Sequence, residues 1–416
     1  MLSSTSDQSL LILSADTDMT IRINIPQLAI AYDINVSPNN DFTLQLSGTN
    51  MENNAVVLDS IVDFMLSVIY GGTSHCGGYL VLPLAALGTD HYAIGFAGGA
   101  NQKSVITILA TDDNIDVTLT ANGNANVDLL CEGQVINAAN PQTTLRVQKY
   151  STLRVDSAGA GDITGVRIQT TKKVAIFCGV ADTSMQTDPM IEQVLPIDSY
   201  GLAFTILALP GQSSVTYKLV ASVVGTEVSV NPGVPMSPGQ YFEGSSSSDV
   251  LYISSTHPIM VIQLIGHAGN QDIGHHSMVI VTPLERFLSR YTFSTPPNDS
   301  GQVFSSYVML ATKKGTAANV RLDGAAVMTS PIDIPSSSPP MVGQVVSVSN
   351  GRHIIEHTTA QYFVAYIYSY ISSSATCGFA RSLGICLGNV SVYSAHVIAI
   401  SVNVYEPNAV CLSCKW

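Results

Sequence analysis

The chain has 416 residues, 46% of them apolar and only 11% charged, with a formal net charge of −13; an average soluble protein carries roughly 25% charged residues. The acidic balance argues against a nucleic-acid partner, whose recognition starts from a basic face. No apolar run approaches the roughly 18 residues of a membrane-spanning helix, since even "YFVAYIYSYI" (362–371) is strand-sized.

The opening "MLSSTSDQSLLILS" has neither a basic n-region nor a cleavage-site pattern, so no signal peptide is read in this numbering. From residue 10 onward the chain consists of short alternating or continuous β-type runs divided by turn residues, which predicts an all-β fold. "LLILSADTDMTIRINI" (10–25) reads as strand, polar turn and strand, a β-hairpin. The same pattern returns in "TILATDDNIDVTLT" (107–120), "KLVASVVGTEVSV" (218–230) and "VMLATKKGTAANVRL" (308–322). Each hairpin is followed by a second element: "LDSIVDFMLSVIYGG" (58–72), "IQTTKKVAIFCGV" (168–180), "ISSTHPIMVIQLIGH" (253–267) and "IEHTTAQYFVAYIYSY" (355–370). Before three of the hairpins, Pro83, Pro196 and Pro283 mark equivalent positions in a third element. Helical turns are expected only at "LDSIVDFML" (58–66) and "PLERFLSRY" (283–291).

These alignments predict an internal repeat of about 90–110 residues, longer than the familiar short solenoid units. The expected frame is an N-terminal half repeat (1–75), repeats at 76–182, 183–268 and 269–372, and a C-terminal β segment (373–416). A starting half unit and a terminal leftover suit a propeller-like toroid closed by pairing of the two ends. Tandem β-sandwich units, or a C-terminal strand exchanged into a neighbouring molecule, are the alternatives.

Three segments carry a family resemblance: "DPMIEQVLPIDSYGLAFTILALPGQSSVTYKLVASVVGTEVSV" (188–230), "SDVLYISSTHPIMVIQLIGHAGNQDIGHHSMVIVTPLERFLSRYTFSTP" (248–296) and "FVAYIYSYISSSATCGFARSLGI" (363–385). They resemble the N-terminal domain of the IgG-Fc-binding protein family, a mucin- and von Willebrand-associated module, over roughly residues 8–385. The last thirty or so residues depart from the pattern, and no cysteine-rich von Willebrand-type module follows. The resemblance implies an extracellular or cell-surface, non-enzymatic module of adhesion, mucus or matrix. It carries over no residues for antibody binding.

The acidic turn Asp112, Asp113, Asn114 and Asp116 suggests calcium, but the aligned copies place "SVVGTE" and "TKKGTA" there. A position that accepts Lys-Lys for Asp-Asp is serving as a turn, and the loop lacks EF-hand spacing. His267, Asp272, His275 and His276 form the weak candidate metal set, although adjacent His275 and His276 would point to opposite faces of a strand. Tyr362, Phe363, Tyr366, Tyr368 and Tyr370 read as core aromatics, with a sugar-stacking platform as the competing reading. Sequons at Asn35, Asn298 and Asn389 are candidate glycosylation sites, and "GSSSSD" (244–249) and "PSSSPP" (335–340) are candidate O-glycosylated loops.

The seven cysteines are too sparse for a disulfide scaffold; Cys377 with Cys386, and the lone C-x-x-C of Cys411 and Cys414, are the disulfide candidates. No G-x-S-x-G elbow, Walker loop or dinucleotide-binding glycine motif is present, so neither an enzyme nor a cofactor is expected. Two functions remain: presentation of a β-rich surface to a glycoprotein or glycan, or self-assembly into a filament or matrix through the C-terminal segment.

Overall fold

A computed structural model describes residues 8–38, 42–47, 55–62, 64–71, 76–97, 102–121, 128–182, 189–209, 214–265, 277–296, 303–371, 378–386, 396–400 and 411–413. Among them the chain is all-β, and helix occurs only as three-residue 3-10 turns. One expected helical turn is present, at Leu284–Arg286. The other is corrected: Ala55–Asp59 and Met65–Gly71 are strands, and the bend between them holds Ile61 at 99% exposure. Valine and leucine around Asp59 pair into sheets, and tertiary pairing overrides the weak helical spacing read there.

Alternation sets which face of each outer strand is buried. "IDVTLT" (Ile115–Thr120) buries Ile115, Val117 and Leu119 and leaves Asp116, Thr118 and Thr120 half-exposed, as a sheet with one wet face requires. Strands nearer the centre lose this pattern. Val215–Ala221 is buried at every position, including Thr216 and Lys218, because other sheets cover both of its faces.

One order of pairing recurs along the chain. The 16-residue strand Arg167–Asp182 pairs through its first half with Gly88–Tyr92 and through its second half with Gln102–Ala110. The 16-residue strand Val250–Ile265 pairs likewise with Gly201–Leu207 and then Val215–Ala221. Further on the role is divided, Arg352–His357 pairing with Arg290–Ser294 and Val364–Ile371 with Phe304–Lys313. It is divided again at the start of the chain, where Met65–Gly71 pairs with Gln8–Ser14. There the partner of Ala55–Asp59 comes from the far end: His396–Ile400 pairs with it, from His396↔Asp59 to Ile400↔Ala55. Cys411–Ser413 then covers the edge of Phe42–Ser47.

Four short strands, Cys76–Leu80, Met190–Gln193, Ser277–Ile280 and Gly378–Ser382, each pair with the preceding long strand. They also meet one another in a closed cycle, the last touching the first. That last seam buries Leu10, Ile12, Ile69 and Cys76 against Ile371 and Phe379, each large side chain contributing on the order of 1.5–3 kcal/mol. Buried Arg381 crosses it, donating to Ser67 Oγ at 2.7 Å and to the Ser294 carbonyl at 2.6 Å.

Pro83, Pro196 and Pro283 each precede a 3-10 turn with nearly the same backbone: φ of −66, −67 and −68°, ψ of 152, 156 and 152°. The pyrrolidine ring holds that φ without cost. Each turn stacks on the next. A Cβ at Gly88 would lie 2.3 Å from Pro196 Cβ, and one at Gly201 would lie 2.2 Å from Pro283 Cβ. Both glycines are therefore required by close approach. Gly88→Ala and Gly201→Ala are each expected to lower stability by about 1–3 kcal/mol through overpacking, read as a shift in urea midpoint; unchanged midpoints would refute the stacking.

Candidate binding surface

His267, Asp272, His275, His276, Asn298, Asn389, Cys377 and Cys414 all lie outside the described residues. Cys411 contributes backbone pairing to Ser47. Asn35 is exposed on the strand Ile30–Val36, and its Oδ1 accepts from Thr20 Oγ1 at 2.9 Å. Cys386 is half-buried and its backbone N–H donates to the Arg286 carbonyl at 2.8 Å; Cys76, not singled out in the sequence, is disulfide-bonded. Cys131 and Cys178 are buried thiols whose pKa burial pushes up to about 12.

The described residues contain no group of three or more His, Cys, Asp or Glu able to hold a metal. In the acidic turn, Lys172 Nζ pairs with Asp112 at 3.0 Å and donates to the Asp113 carbonyl at 2.9 Å. Arg146 grips Asp116 through Nε and Nη2, at 2.7 and 3.0 Å. These hydrogen bonds, first those from Lys172 and Arg146 respectively, hold the Asp112 and Asp116 carboxyls below their ordinary pKa.

Two buried titratable groups, Glu192 and His91, are held neutral. Glu192, on the inner strand Met190–Gln193, is buried, its Oε1 without a hydrogen-bond partner, and desolvation raises its pKa well above the usual carboxylate range. His91 is buried and its pKa falls to about 4, because desolvation outweighs the opposing pull of Asp90. His353 faces Asp323 Oδ2 at 2.7 Å through Nδ1 and the Ser349 carbonyl at 2.9 Å through Nε2. Its second nitrogen is thus occupied by backbone rather than by a hydroxyl that it could activate.

The aromatic group divides by exposure. Phe363, Tyr366 and Tyr368 are buried, whereas Tyr362 is 69% exposed. Tyr370 is half-buried and stacks on Tyr307, with ring centroids 6.2 Å apart and planes 3° from parallel. A hydrogen bond between their hydroxyls raises the Tyr307 pKa. Tyr307 escaped the sequence reading because it stands alone in "FSSYVMLATK". Its register opposite Tyr368 is what brings it beside Tyr370.

The outer surface carries a second apolar feature. Beyond Thr152–Ser157 the sheet is extended by a hairpin, Leu129–Cys131 and Gln134–Ile136. Leu130 and Val135 stand directly opposite each other on it, 40% and 41% exposed. Cross-strand neighbours on one face lie close enough for their side chains to touch, so these two form one apolar knob at a sheet end. Two other terminal strands carry one exposed aliphatic each, Val234 on Asn231–Met236 and Ile332 on Ile332–Ile334.

The described residues thus form an all-β ring with a buried cycle of inner strands and, among other exposed apolar groups, an apolar knob on an outer hairpin. A family model described as IgGFc binding protein matches residues 77–369, well over half the sequence, and the chain belongs to that family. No curated protein matches it.

Two titrations follow from the interior. Glu192 holds its proton to higher pH in the folded state, while the unfolded chain releases it near the ordinary value of 4.5, so its favourable contribution is present below that pH and lost as pH rises. His91 does the reverse: the unfolded chain takes up a proton near 6.5 and the folded chain only near 4. Stability is lost as pH falls between those values, by up to about 1.4 kcal/mol per pH unit. In urea unfolding across pH, Glu192→Gln should gain on the parent protein as pH rises, and His91→Gln should flatten the acid limb. Parallel pH profiles for parent and variants would contradict both assignments.

Proposed function

We propose that this chain is a non-enzymatic, extracellular adhesion module that presents its outer β surface to a glycoprotein or glycan and takes no cofactor. The observation that carries the reading is the apolar knob of Leu130 and Val135, in a chain of which only 11% of the residues are charged. Family membership supports a binding role. The stacked Tyr307–Tyr370 pair supports a sugar-bearing partner, because a pyranose ring packs its apolar face on an aromatic ring. The neutral interior carboxyl and thiols support the non-enzymatic part, since none of them supplies a base or nucleophile near neutral pH. Among the described residues no helix is long and apolar enough to cross a membrane.

The test is an array of glycoproteins, immunoglobulin Fc among them, probed with and without enzymatic deglycosylation. A Leu130→Glu, Val135→Glu double variant should lose at least about tenfold in affinity, as expected when an apolar contact centre is replaced by charge, while keeping its melting temperature. Binding equal to that of the parent protein would remove the knob from the site. Loss on deglycosylation would assign the partner's recognised feature to sugar.

A second reading rests on the cis pairing of His396–Ile400 with Ala55–Asp59. The same hydrogen bonds can be made between molecules, which would turn the closing strand into an exchanged one and the protein into a polymer subunit. Sedimentation at micromolar concentration separates the two. A single species at 44.0 kDa supports the binding module, and a mass that grows with concentration supports assembly. In the second case deletion of residues 386–416 should yield a soluble monomer, and a truncated protein that still polymerises would reject strand exchange.

A further inference from the structure

Lys218 sits in the middle of the wholly buried strand Val215–Ala221, its side chain only 1% exposed. Removing an ammonium group from water is costly unless close partners replace the solvent, and the partners here are specific. Nζ donates to Asp162 Oδ2 at 2.7 Å and to the Gly95 carbonyl at 2.8 Å, and it lies 3.0 Å from Glu243 Oε2. It also lies over two aromatic rings, 4.2 Å from the centre of Phe96 and 5.0 Å from that of Tyr241. Asp162 and Gly95 precede the sheet that contains Lys218 by more than a hundred residues in the case of Gly95, whereas Glu243 stands directly across from Lys218 in the antiparallel register.

The two oxygens of Asp162 are treated differently. Oδ1 accepts from the Thr164 backbone N–H at 2.9 Å and from Thr164 Oγ1 at 2.5 Å. Oδ2 faces the lysine nitrogen. One carboxylate oxygen therefore has two fixed donors, as the oxygen of a tetrahedral acyl intermediate requires, and the other is placed beside a nucleophile and a second carboxylate. Asp162 is 12% exposed and Glu243 43% exposed, so the second carboxylate reaches solvent from a site otherwise closed by Phe96 and Tyr241.

We propose that Lys218 and Asp162 condense to an intramolecular amide, with Glu243 as the proton shuttle. Glu243 takes a proton from the ammonium group and delivers it to Oδ2. The freed amine attacks Asp162 Cγ while Thr164 holds the charge that gathers on Oδ1. The C–Oδ2 bond breaks, and Oδ2 departs as water with the second proton released by the nitrogen. Ammonium and carboxylate are thereby replaced by a secondary amide and one water, with no net change of charge and no oxidant or activating group. The single hydrogen left on the amide nitrogen retains the Gly95 carbonyl as its acceptor, and the amide oxygen retains both Thr164 donors. Two effects favour the step: groups held in contact react as if at about 10⁵–10⁸ M, and two buried charges become one neutral group. The product is a covalent tie between the loop at Asp162 and the sheet that follows it.

Intact mass after reduction, alkylation and denaturation tests this directly. The expected mass is lower by one water than that of the fully alkylated sequence, and trypsin should fail to cut after Lys218, leaving a branched peptide that joins the segments carrying Asp162 and Lys218. Glu243→Gln keeps the Lys218–Asp162 contact and the fold but should restore the full mass, and Lys218→Arg should do the same. A parent protein of full mass that is cleaved at Lys218 would overturn the proposal and leave a buried ion pair. So would a water loss that maps to any other position.

Discussion

The closure of the ring by pairing of the two chain ends is the constraint on which the remaining structure depends. A strand buried on both faces must satisfy its backbone groups along both edges. Ala55–Asp59 has Met19–Ile25 on one side, and only His396–Ile400 supplies the other. Without that partner the first sheet presents a row of unpaired N–H and C=O groups. The four inner strands form a cycle, so this pairing and the apolar seam beside it settle whether the first and last sheets meet. Arg381 illustrates the demand placed on that seam. A guanidinium without solvent exposure is held there by a serine hydroxyl of the first sheet and a carbonyl of the last, because a buried charge left unpaired would cost several kcal/mol.

The low charge content has a structural counterpart. Among the described residues most ion pairs join exposed or half-exposed groups, such as Arg22 with Asp33 and Lys314 with Asp333, and pairs of that kind contribute about 0–1 kcal/mol each. The interior instead uses hydroxyls, backbone and neutral titratable groups, of which Glu192 and His91 are the clearest. Lys218 and Arg381 are buried charges that depart from this, each held by close polar partners.

Much of this was legible in the sequence where one physical rule acts alone. Strand-period alternation gave the all-β class, and the three prolines marked turns with nearly identical dihedrals. The aromatic run was read as core, which Phe363, Tyr366 and Tyr368 obey and Tyr362 does not. Readings failed where two rules compete. At Leu58–Leu66 helical spacing lost to sheet pairing. The lysine of "VTYKLVA" was not singled out in the sequence, and Lys218 lies inside a strand buried at every position. Its partners Asp162 and Gly95 are separated from it by 56 and 123 positions, so no local motif announces them. The Tyr307–Tyr370 stack is hidden for the same reason: cross-strand register brings it together.

The treatment of the outer edges bears on how such a surface would bind. An exposed edge strand invites pairing with any other strand, and proteins suppress this with proline or by capping the edge. The terminal strand Asn231–Met236 contains Pro232 and Pro235, neither of which has an N–H to donate. On Gln134–Ile136 the Val135 carbonyl already accepts from Asn140 Nδ2 at 3.3 Å. Backbone addition is thus discouraged at the same strands that expose Val234 and Val135. Recognition at these positions falls to side chains, which select a partner by shape and apolar fit, whereas backbone pairing accepts any extended chain. Edges treated in this way suppress indiscriminate edge-to-edge growth.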